Sequence, residues 1–307
     1  MAARISVITA SLNRKQMLQR AIESVVQQGL DRVEHIIIDA KSADGTLEML
    51  GAYRHLIVVS EPDRGVYEAW NKGLRRTHGD LICFLNSDDE IPPGAFAQAR
   101  AAFADDPMLD MVSGPVEVYQ PAGNGKVRKS IIDDPRMLGL RHQDVGPGTP
   151  LPNGRYLTPR LMARVGFFDE RYALVSDRDF FLRVLLANPR NVTVPAPLYR
   201  YHYHDQSLTF AGAKVARRLS EESLRASRSG LLEARDGKLR RAYARWHAWA
   251  AFYMSLLEAR AGHLGAATRV AASAFVADPI WPLRLPGQVL RHFGERPSRR
   301  GRAIGEG

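Results

Sequence analysis

Acidic side chains follow two apolar segments of this sequence, at points where buried strands would end. Asp39 closes the run VEHIIID, and Asp88 with Asp89 stands in NSDDE directly after the apolar residues 81–85. Neighbouring carboxylates repel one another, and burying them is costly unless a positive charge lies between them. A divalent cation with oxygen ligands would supply that charge. A solvated turn that begins a helix near Pro92 is the alternative for Asp88 and Asp89.

The elements that would position these acids are visible in the apolar pattern. Continuous apolar runs predict strands at residues 5–9, 33–39, 55–61 and 80–86. Apolar positions with helical spacing predict helices at residues 14–28, 46–53, 66–74 and 93–104. This alternation predicts an α/β fold with a mostly parallel sheet that is flanked by helices. Because ligands bind beyond the carboxyl ends of such strands, Asp39 and Asp88 should face one crevice.

The second half of the sequence has a different pattern. Residues 107–157 are rich in Pro and Gly, and they contain one predicted strand at residues 111–119. Helical spacing returns at residues 158–165 and 177–187. Beyond residue 211 the sequence is rich in Ala, Leu and Arg, which predicts a helical C-terminal extension.

The net charge of +10 on the 307 residues is distributed unevenly. Residues 212–307 contain 18 Lys and Arg against 8 Asp and Glu, whereas residues 1–211 contain 25 of each kind. A basic extension on a neutral body indicates an anionic partner, either nucleic acid or a membrane surface. We identify no nucleic-acid recognition motif in the extension, so we expect no nucleic-acid partner.

Cysteine content and apolar runs indicate the cellular compartment. The one cysteine, Cys83, lies inside an apolar run, which excludes a disulfide framework and favours a reducing cytoplasm. We find no secretory leader at the N-terminus, and the most apolar later stretch, residues 248–257, is too short to span a bilayer. We therefore expect a cytoplasmic protein.

Glycine-rich phosphate loops are absent from the sequence. Neither G-x-G-x-x-G nor a P-loop occurs, which argues against a dinucleotide oxidoreductase and a P-loop kinase. A diphosphate ligand would then need a divalent cation for neutralisation, and the side chains of residues 86–89 would hold that cation.

Four ordered segments carry a resemblance to a known family. ISVITASLNR, IIIDAKSADGT, SEPDRGVYEAWNKGL and GDLICFLNSDDE together resemble the family 2 glycosyltransferases, which have the GT-A fold. The resemblance is close over roughly residues 4–120 and looser to about residue 210. It implies a glycosyltransferase domain at residues 1–211, with a donor half at 1–120 and an acceptor half at 121–211, followed by the basic region 212–307. It also implies inverting sugar transfer from a nucleotide diphosphate sugar to an acceptor hydroxyl, in polysaccharide or glycolipid biosynthesis.

The resemblance assigns roles to individual residues on the donor side. Asp88 matches the principal ligand of a divalent metal, Mn²⁺ or Mg²⁺, and Asp89 and His204 match supporting ligands. A surface histidine without a metal is the alternative for His204. The remaining matches are donor-binding residues: Thr9, Ser11, Asn13, Arg14, Asp39, Asp63, Arg64, Lys72, Asn86 and Ser87.

A later segment resembles the family's acceptor side. In FFDERYALVSDRDFFLR, residues 167–183 and hereafter the acceptor segment, Asp177 matches the catalytic base. The alternative for Asp177 is a helix N-cap. Asp179 and Arg183 have the spacing of an ordinary helical ion pair.

Departures from the family pattern keep other functions open. Asn86 stands where relatives have the first metal-site acid, and Ser176 stands where many have Glu. These changes favour the main rival, a noncatalytic membrane-associated relative that serves as a binding or assembly module. A nucleotidyltransferase is a second rival, but its glycine-rich N-terminal loop is missing.

The basic region predicts a place at the membrane. Trp246, Trp249 and Tyr253 share one helical stripe, and arginines lie between the aromatic residues of this region. Aromatic and basic helices of this kind lie in the lipid interface. We therefore expect peripheral attachment to the anionic inner face of the cell membrane, where a lipid-linked sugar is a natural acceptor. The alternative is that the stripe packs on the catalytic domain, and the last ~12 residues are expected to be disordered.

Overall fold

The computed structural model describes residues 2–123, 126–134, 138–139, 152–204 and 213–283. Its first third alternates strands and helices, as the apolar pattern predicts. The elements are β1 (Ile5–Ser11), α1 (Lys15–Val26), β2 (Val33–Asp39), α2 (Thr46–Leu50), β3 (Leu56–Ser60), α3 (Val66–Leu74), β4 (Leu81–Phe84) and α4 (Ala95–Asp105).

A seven-stranded sheet forms the centre of the molecule. Its order is β3-β2-β1-β4-β8-β5-β9, where β8 is Arg155–Leu157, β5 is Met111–Ser113 and β9 is Asn191–Thr193. Strands β1 to β4 are parallel, and β8 is antiparallel to both of its neighbours. The mostly parallel sheet of the expected fold is therefore confirmed.

The register of the parallel strands aligns their carboxyl ends. Ser11 at the end of β1 is paired with Asp39 at the end of β2, and Asp39 is paired with Ser60 at the end of β3. Phe84 at the end of β4 is paired with Ile8 of β1. The loops that follow β1, β2 and β4 therefore leave the sheet along one edge, which we call the donor crevice.

The prediction of a single strand at residues 111–119 is wrong. The chain breaks at Gly114 and Pro115, so β5 ends at Ser113 and β6 (Val116–Gly123) starts a separate sheet with β7 (Lys126–Ile132) and β10 (Tyr199–His202). Proline has no N–H for a strand ladder. A Cβ at Gly114 would lie 2.5 Å from Cγ of Leu198, so this close approach requires glycine.

Helix α3 lies very close to the sheet. A Cβ at Gly73 would be 2.4 Å from Cγ2 of Ile8, which is shorter than any real carbon contact. Glycine therefore permits the approach of α3 to β1. Ile8 itself is fully buried, as are its sheet neighbours Ile36 and Ile37.

The second half of the described chain is mainly helical. Its helices are α5 (Pro159–Val165), α6 (Ser176–Leu186), α7 (Ala213–Glu233), α8 (Gly237–Arg260) and α9 (Leu264–Ala277). Asp236 caps α8 by accepting hydrogen bonds from the backbone N–H groups of Lys238 and Leu239. We call α7, α8 and α9 the C-terminal helices; they match the expected helical extension. The last twelve residues lie outside the described part of the chain.

The aromatic stripe of α8 is an internal surface, which corrects the lipid-facing role expected for it. Trp246 is 4% exposed and packs with Tyr172, Val175 and Leu182 of the catalytic body. Trp249 is also buried. The alternative, packing on the catalytic domain, is the observed one for Trp246, because burying an indole removes a large apolar area from water. No helix in the described ranges is long and apolar enough to cross a bilayer.

Candidate active site

The carboxylate of Asp39 lies buried at the end of β2, on one side of the donor crevice. Its Oδ2 accepts hydrogen bonds from the backbone N–H of Ser42 at 3.1 Å and from the hydroxyl of Ser60 at 2.7 Å. Its Oδ1 and the nearby hydroxyl of Ser11 are buried and have no hydrogen-bond partner among the described residues. An unsatisfied buried carboxylate oxygen is costly, so both atoms are suited to polar groups of a ligand.

Thr9 does not face the crevice, contrary to its expected role in donor binding. Its side chain is fully buried, and its Oγ1 lies 3.0 Å from Nε2 of His35 on β2. Burial lowers the pKa of His35 to about 3, with a smaller effect of His55, so the pair is neutral. Thr9 belongs to the core because it lies inside β1, which is covered on both faces of the sheet, whereas Ser11 on the same face lies at the end of the strand.

The loop after β1 is tied to the loop after β2. Asn13 has a positive φ of 51°, and its backbone N–H donates to Oγ of Ser42 at 2.8 Å. Its side-chain Oδ1 accepts from the backbone N–H of Ala43, also at 2.8 Å. Asn13 therefore shapes the crevice through the backbone, and it places Arg14 at the start of α1.

At the other end of the crevice, Asp88 contacts the side chains of a histidine and an arginine. Nε2 of His204 lies 2.9 Å from its Oδ2, and the guanidinium of Arg14 is 3.7 Å from the same oxygen. Arg20 of α1 donates to the backbone carbonyl of Asp88 at 3.1 Å. The structure thus brings together three residues that the sequence predicted for the donor and metal site: Asp88, His204 and Arg14.

Asp89 does not fit the supporting metal-ligand role expected of it. It is fully buried, and its Oδ1 accepts from the backbone N–H of His202 at 2.8 Å. Its Oδ2 accepts from the hydroxyl of Tyr199 at 2.7 Å and from the amide of Asn86 at 2.9 Å. Burial, and then the Asp88 charge, raises the pKa of Asp89, while these three donors lower it. Asp89 therefore fastens the loop after β4 to β10.

Glu90 adds a network of ion pairs to these contacts, which sequence reasoning missed. Its carboxylate pairs with Arg20 at 3.1 Å, with Arg200 at 2.9 Å and with Nε2 of His202 at 2.9 Å. The close contact with His202, followed by the hydrogen bond from Arg200, lowers the pKa of Glu90 to about 2 against the effect of burial. Glu90 is thus ionised at neutral pH, and it joins α1 to β10 behind Asp88.

The segment before α3 presents charged groups at the rim of the crevice. Asp63 turns the chain by accepting from the backbone N–H of Gly65 at 3.0 Å, and burial raises its pKa. Arg64 is exposed and pairs with Glu68 and Glu170, while Lys72 pairs with Glu61 and Glu68. Ser87 is 9% exposed in the loop after β4. These positions are compatible with donor contacts, but none of them contacts Asp88 in the described hydrogen bonds and ion pairs.

Asp177 lies in the first turn of α6 and is not its N-cap. Val175 occupies the cap position without a side-chain hydrogen bond, and Asp177 accepts from the neighbouring Arg178 backbone N–H at 2.8 Å. The hydroxyl of the buried Tyr67 also hydrogen-bonds its carboxylate. Burial raises the pKa of Asp177, and Arg178 and Tyr67 partly oppose that rise. The expected ion pair of Asp179 with Arg183 is present at 2.9 Å.

Packed aromatic rings lie between Asp177 and the donor crevice. Tyr67 of α3 packs against Trp70 at a centroid distance of 5.6 Å, and Trp70 packs against Phe84 at 4.7 Å. Phe84 ends β4, two residues before Asn86. Sequence reasoning missed Tyr67, although it lies in the segment SEPDRGVYEAW. A tyrosine on the apolar face of a predicted helix was the available signal, because its hydroxyl needs a buried partner.

The side chains near Asp88 offer a partial ligand set for a divalent cation. Asp88 supplies a carboxylate and His204 an imidazole nitrogen, and both are ligand types that Mn²⁺ accepts. The described ranges contain no group of three or more His, Cys, Asp and Glu side chains arranged to hold a metal. Asp88 and His204 would suit a cation that takes its other ligands from phosphate oxygens and water.

Comparison with known proteins decides the family. The sequence profile described as "Glycosyl transferase family 2" matches residues 6–166, which is more than half of the chain. The protein belongs to the family 2 glycosyltransferases. The matched range contains the donor crevice with Asp39 and Asp88, and it ends just before the acceptor segment.

Two relatives and one solved structure are similar to this chain. The chain is 32% identical over 192 residues to an uncharacterized glycosyltransferase of Mycobacterium tuberculosis, covering 60% of this chain and 70% of that one. It is 26% identical over 201 residues to a PGL/p-HBAD biosynthesis glycosyltransferase of Mycobacterium bovis, covering 62% and 73%. The structure of the mannosyltransferase PcManGT from Pyrobaculum calidifontis, in complex with GDP-Man and Mn²⁺, superposes with a TM-score of 0.58 at 18% identity, covering 98% of this chain and 88% of that one. This likeness shows the GT-A fold.

Proposed function

We propose that this glycosyltransferase moves a sugar from a nucleotide diphosphate sugar to an acceptor hydroxyl, with inversion at the anomeric carbon. The observation that carries the proposal is the contact of Asp88 with His204 at 2.9 Å at one end of the crevice, whose other end contains the unsatisfied oxygen of Asp39. One end of the crevice is thereby suited to a diphosphate and the other to a nucleoside. The PGL/p-HBAD relative supports a role in glycan biosynthesis.

The nucleoside end consists of acceptor oxygens on a rigid frame. Oδ1 of Asp39 is free to accept an N–H or O–H of the nucleoside, because Oδ2 is already held by Ser42 and Ser60. The Ser11 hydroxyl adds a second polar contact from β1. The frame is preorganised, so little conformational entropy is lost when the nucleoside binds.

The diphosphate end combines the Asp88 carboxylate with nearby cationic groups. Asp88 and His204 would hold a divalent cation, Mn²⁺ or Mg²⁺, which acts as a Lewis acid on the departing diphosphate when it is bound. The guanidinium of Arg14, 3.7 Å from Asp88, is placed to bind phosphate oxygens beside them. Asp89 and Glu90 keep the loop and β10 together, so that Asp88 and His204 stay paired.

Asp177 is the proposed general base. Its raised pKa makes the ionised carboxylate a stronger proton acceptor for an acceptor hydroxyl than an exposed Asp would be. The hydroxyl of Tyr67 orients the carboxylate and lowers the pKa of Asp177, against the effect of burial. The acceptor oxygen, relieved of its proton, attacks the anomeric carbon from the face opposite the diphosphate, which inverts that centre.

The test is calorimetric titration with UDP- and GDP-sugars in the presence and absence of Mn²⁺. Asp88→Ala should abolish the Mn²⁺-dependent part of donor binding. Asp31→Ala, which removes an exposed carboxylate next to β2, is the matched control and should bind as the wild type does. Equal donor affinity in the wild type and Asp88→Ala would contradict the metal assignment. A wild type that binds donors but releases no nucleotide would favour the noncatalytic binding module.

The proposed acceptor is a lipid-linked sugar at the cytoplasmic face of the membrane. Four apolar side chains in and directly after α9 are exposed: Phe275, Val276, Ile280 and Leu283. Residues 284–307, which follow them in the sequence, contain six Arg and two Glu. Exposed apolar side chains followed by a basic sequence fit an anionic lipid surface. Deleting residues 284–307 should reduce sedimentation with anionic vesicles at low salt, and unchanged sedimentation would contradict this attachment.

A further inference from the structure

We propose that Glu222 of α7 is a positioning residue for Asp177, so that the C-terminal helices complete the acceptor half of the active site. This inference rests on the proposed role of Asp177 as the base. It concerns a carboxylate that lies 45 positions away in the sequence and outside the residues matched by the family profile.

Glu222 holds the chain directly in front of α6. Its Oε1 accepts from the backbone N–H of Ala173 at 2.9 Å, and its Oε2 accepts from that of Leu174 at 2.5 Å. Hydrogen bonds from two backbone N–H groups to one carboxylate are charge-assisted and fix its direction as well as its distance. Glu222 is only 6% exposed, so water does not replace these bonds easily.

The segment held by Glu222 sets the start of the helix that carries the base. Val175, the next residue after Leu174, accepts from the backbone N–H groups of Arg178 and Asp179 with its carbonyl. Since α6 lacks a side-chain N-cap, this backbone arrangement determines where its first turn begins. A shift of residues 173–174 would therefore move Asp177 relative to Tyr67.

Other contacts from the C-terminal helices reach the same segment. The Tyr243 hydroxyl of α8 donates to Asp179, and Trp246 of α8 lies over the guanidinium of Arg178 at 5.6 Å. Arg171 joins the segment to Glu233 of α7 at 3.1 Å. Asp177 is thus flanked in sequence by residues 171, 173, 174, 178 and 179, all of which contact α7 or α8.

Electrostatics agree with the proximity of Glu222 to the base. Burial and the charge of Asp177 are the main causes that raise the pKa of Tyr67, and the charge of Glu222 adds to them. The two carboxylates therefore share Tyr67 as a neighbour, one by a hydrogen bond and the other through its field.

The experiment measures Mn²⁺-dependent nucleotide release from UDP- and GDP-sugars with water as the acceptor. Glu222→Gln keeps the side-chain shape but can accept only one of the two N–H bonds, and Glu222→Ala accepts neither. We expect kcat to fall about 10- to 100-fold, because a displacement of about 1 Å has that cost, with Glu222→Ala the slower variant. KM for the donor should stay unchanged, since the donor crevice is not touched. Glu221→Gln, one residue away and half-exposed, is the control.

Hydrogen exchange supplies the second readout. The amides of Ala173 and Leu174 should exchange faster in both Glu222 variants and not in Glu221→Gln. If Glu222→Gln does not fold, Tyr243→Phe, which removes one hydroxyl from the same contact surface, should lower kcat at unchanged donor KM. A variant with wild-type kcat, or one whose donor KM rises in step with the loss of kcat, contradicts the positioning role. Wild-type protein that releases no nucleotide contradicts the proposed function itself and the positioning role with it.

Discussion

The two ends of the active site are supported in different ways. At the nucleoside end, Asp39 and Asn13 are held by Ser42, Ala43 and Ser60, all within the first three strands and their loops. At the acceptor end, Asp177 sits on a segment whose polar contacts come from α3 and the C-terminal helices. The nucleoside end is therefore self-contained, whereas the acceptor end depends on residues far away in the sequence. Substitutions at the nucleoside end should therefore affect donor binding, and substitutions at the acceptor end should affect catalysis.

The largest expected effect is at the base. Asp177→Asn keeps the size of the side chain but removes the proton acceptor, so kcat should fall about 10²–10⁴-fold. Donor affinity should be retained because the nucleoside end is untouched. Steady-state nucleotide release and calorimetry measure the two quantities, with Asp105→Asn, an exposed site on α4, as the control. Wild-type turnover in Asp177→Asn would show that another group is the base.

Loss of the aromatic anchor should come next. Trp246→Ala removes a buried indole and should lower the free energy of unfolding by about 3–5 kcal/mol. At temperatures where the variant is folded, kcat should fall more than donor affinity does. Urea unfolding gives the stability, and Phe275→Ala, an aromatic deletion at a half-exposed site of α9, should leave it nearly unchanged. If donor affinity falls as much as kcat, the two ends are not separately supported.

A third substitution examines the nucleoside end alone. Asp39→Asn can keep its acceptor oxygen toward Ser42 and Ser60, which turns an N–H group toward the position of the unsatisfied Oδ1. Exchanging an acceptor oxygen for an amide donor should weaken nucleotide binding about 10- to 100-fold. Titration of UDP and GDP measures this, and Asp31→Asn is the control. If Asp39→Asn binds both UDP and GDP with unchanged affinity, Asp39 does not contact the nucleoside.

The smallest expected effect is a shift of a pH profile. Asp177 acts only when ionised, so kcat should decrease as the pH falls through its raised pKa. Tyr67→Phe removes a hydrogen bond that lowers this pKa, and the acid limb of the profile should move to higher pH. Tyr53→Phe, in the turn after α2, is the control. A limb that stays in place, or moves to lower pH, would contradict the contact between Tyr67 and the base.

The donor half of the fold could be predicted from the sequence because its signals are local. β2 and α3 occur at the residues expected from their apolar patterns, Val33–Asp39 and Val66–Leu74. The hairpin of β6 and β7 was missed because β6 follows β5 after only Gly114 and Pro115. A short break of this kind disappears into one apolar run unless the close approach of Leu198 is known.

The site was predictable only where a role depends on position in a motif. Asp88, His204 and Arg14 come together as expected, but Thr9 points into the core, and Asp89 is occupied by three protein donors. Thr9 is buried because it lies inside a sheet covered on both faces, and Asp89 is buried because it contacts β10; the motif encodes neither. Glu222 carried no signal at all, since a glutamate within a long helix is usually exposed.

Gly73 sets the distance between α3 and the sheet, and this distance affects the acceptor end of the site. Helix α3 carries Tyr67 and Lys72, and its height above the sheet is set by the missing Cβ that would otherwise collide with Ile8. A small side chain introduced at position 73 would push α3 away from the sheet. Tyr67 would then move with respect to Asp177, although neither residue is altered. The distance between Tyr67 and Asp177 can therefore be changed by a substitution on the sheet-facing side of α3, in the buried layer that contains Ile8.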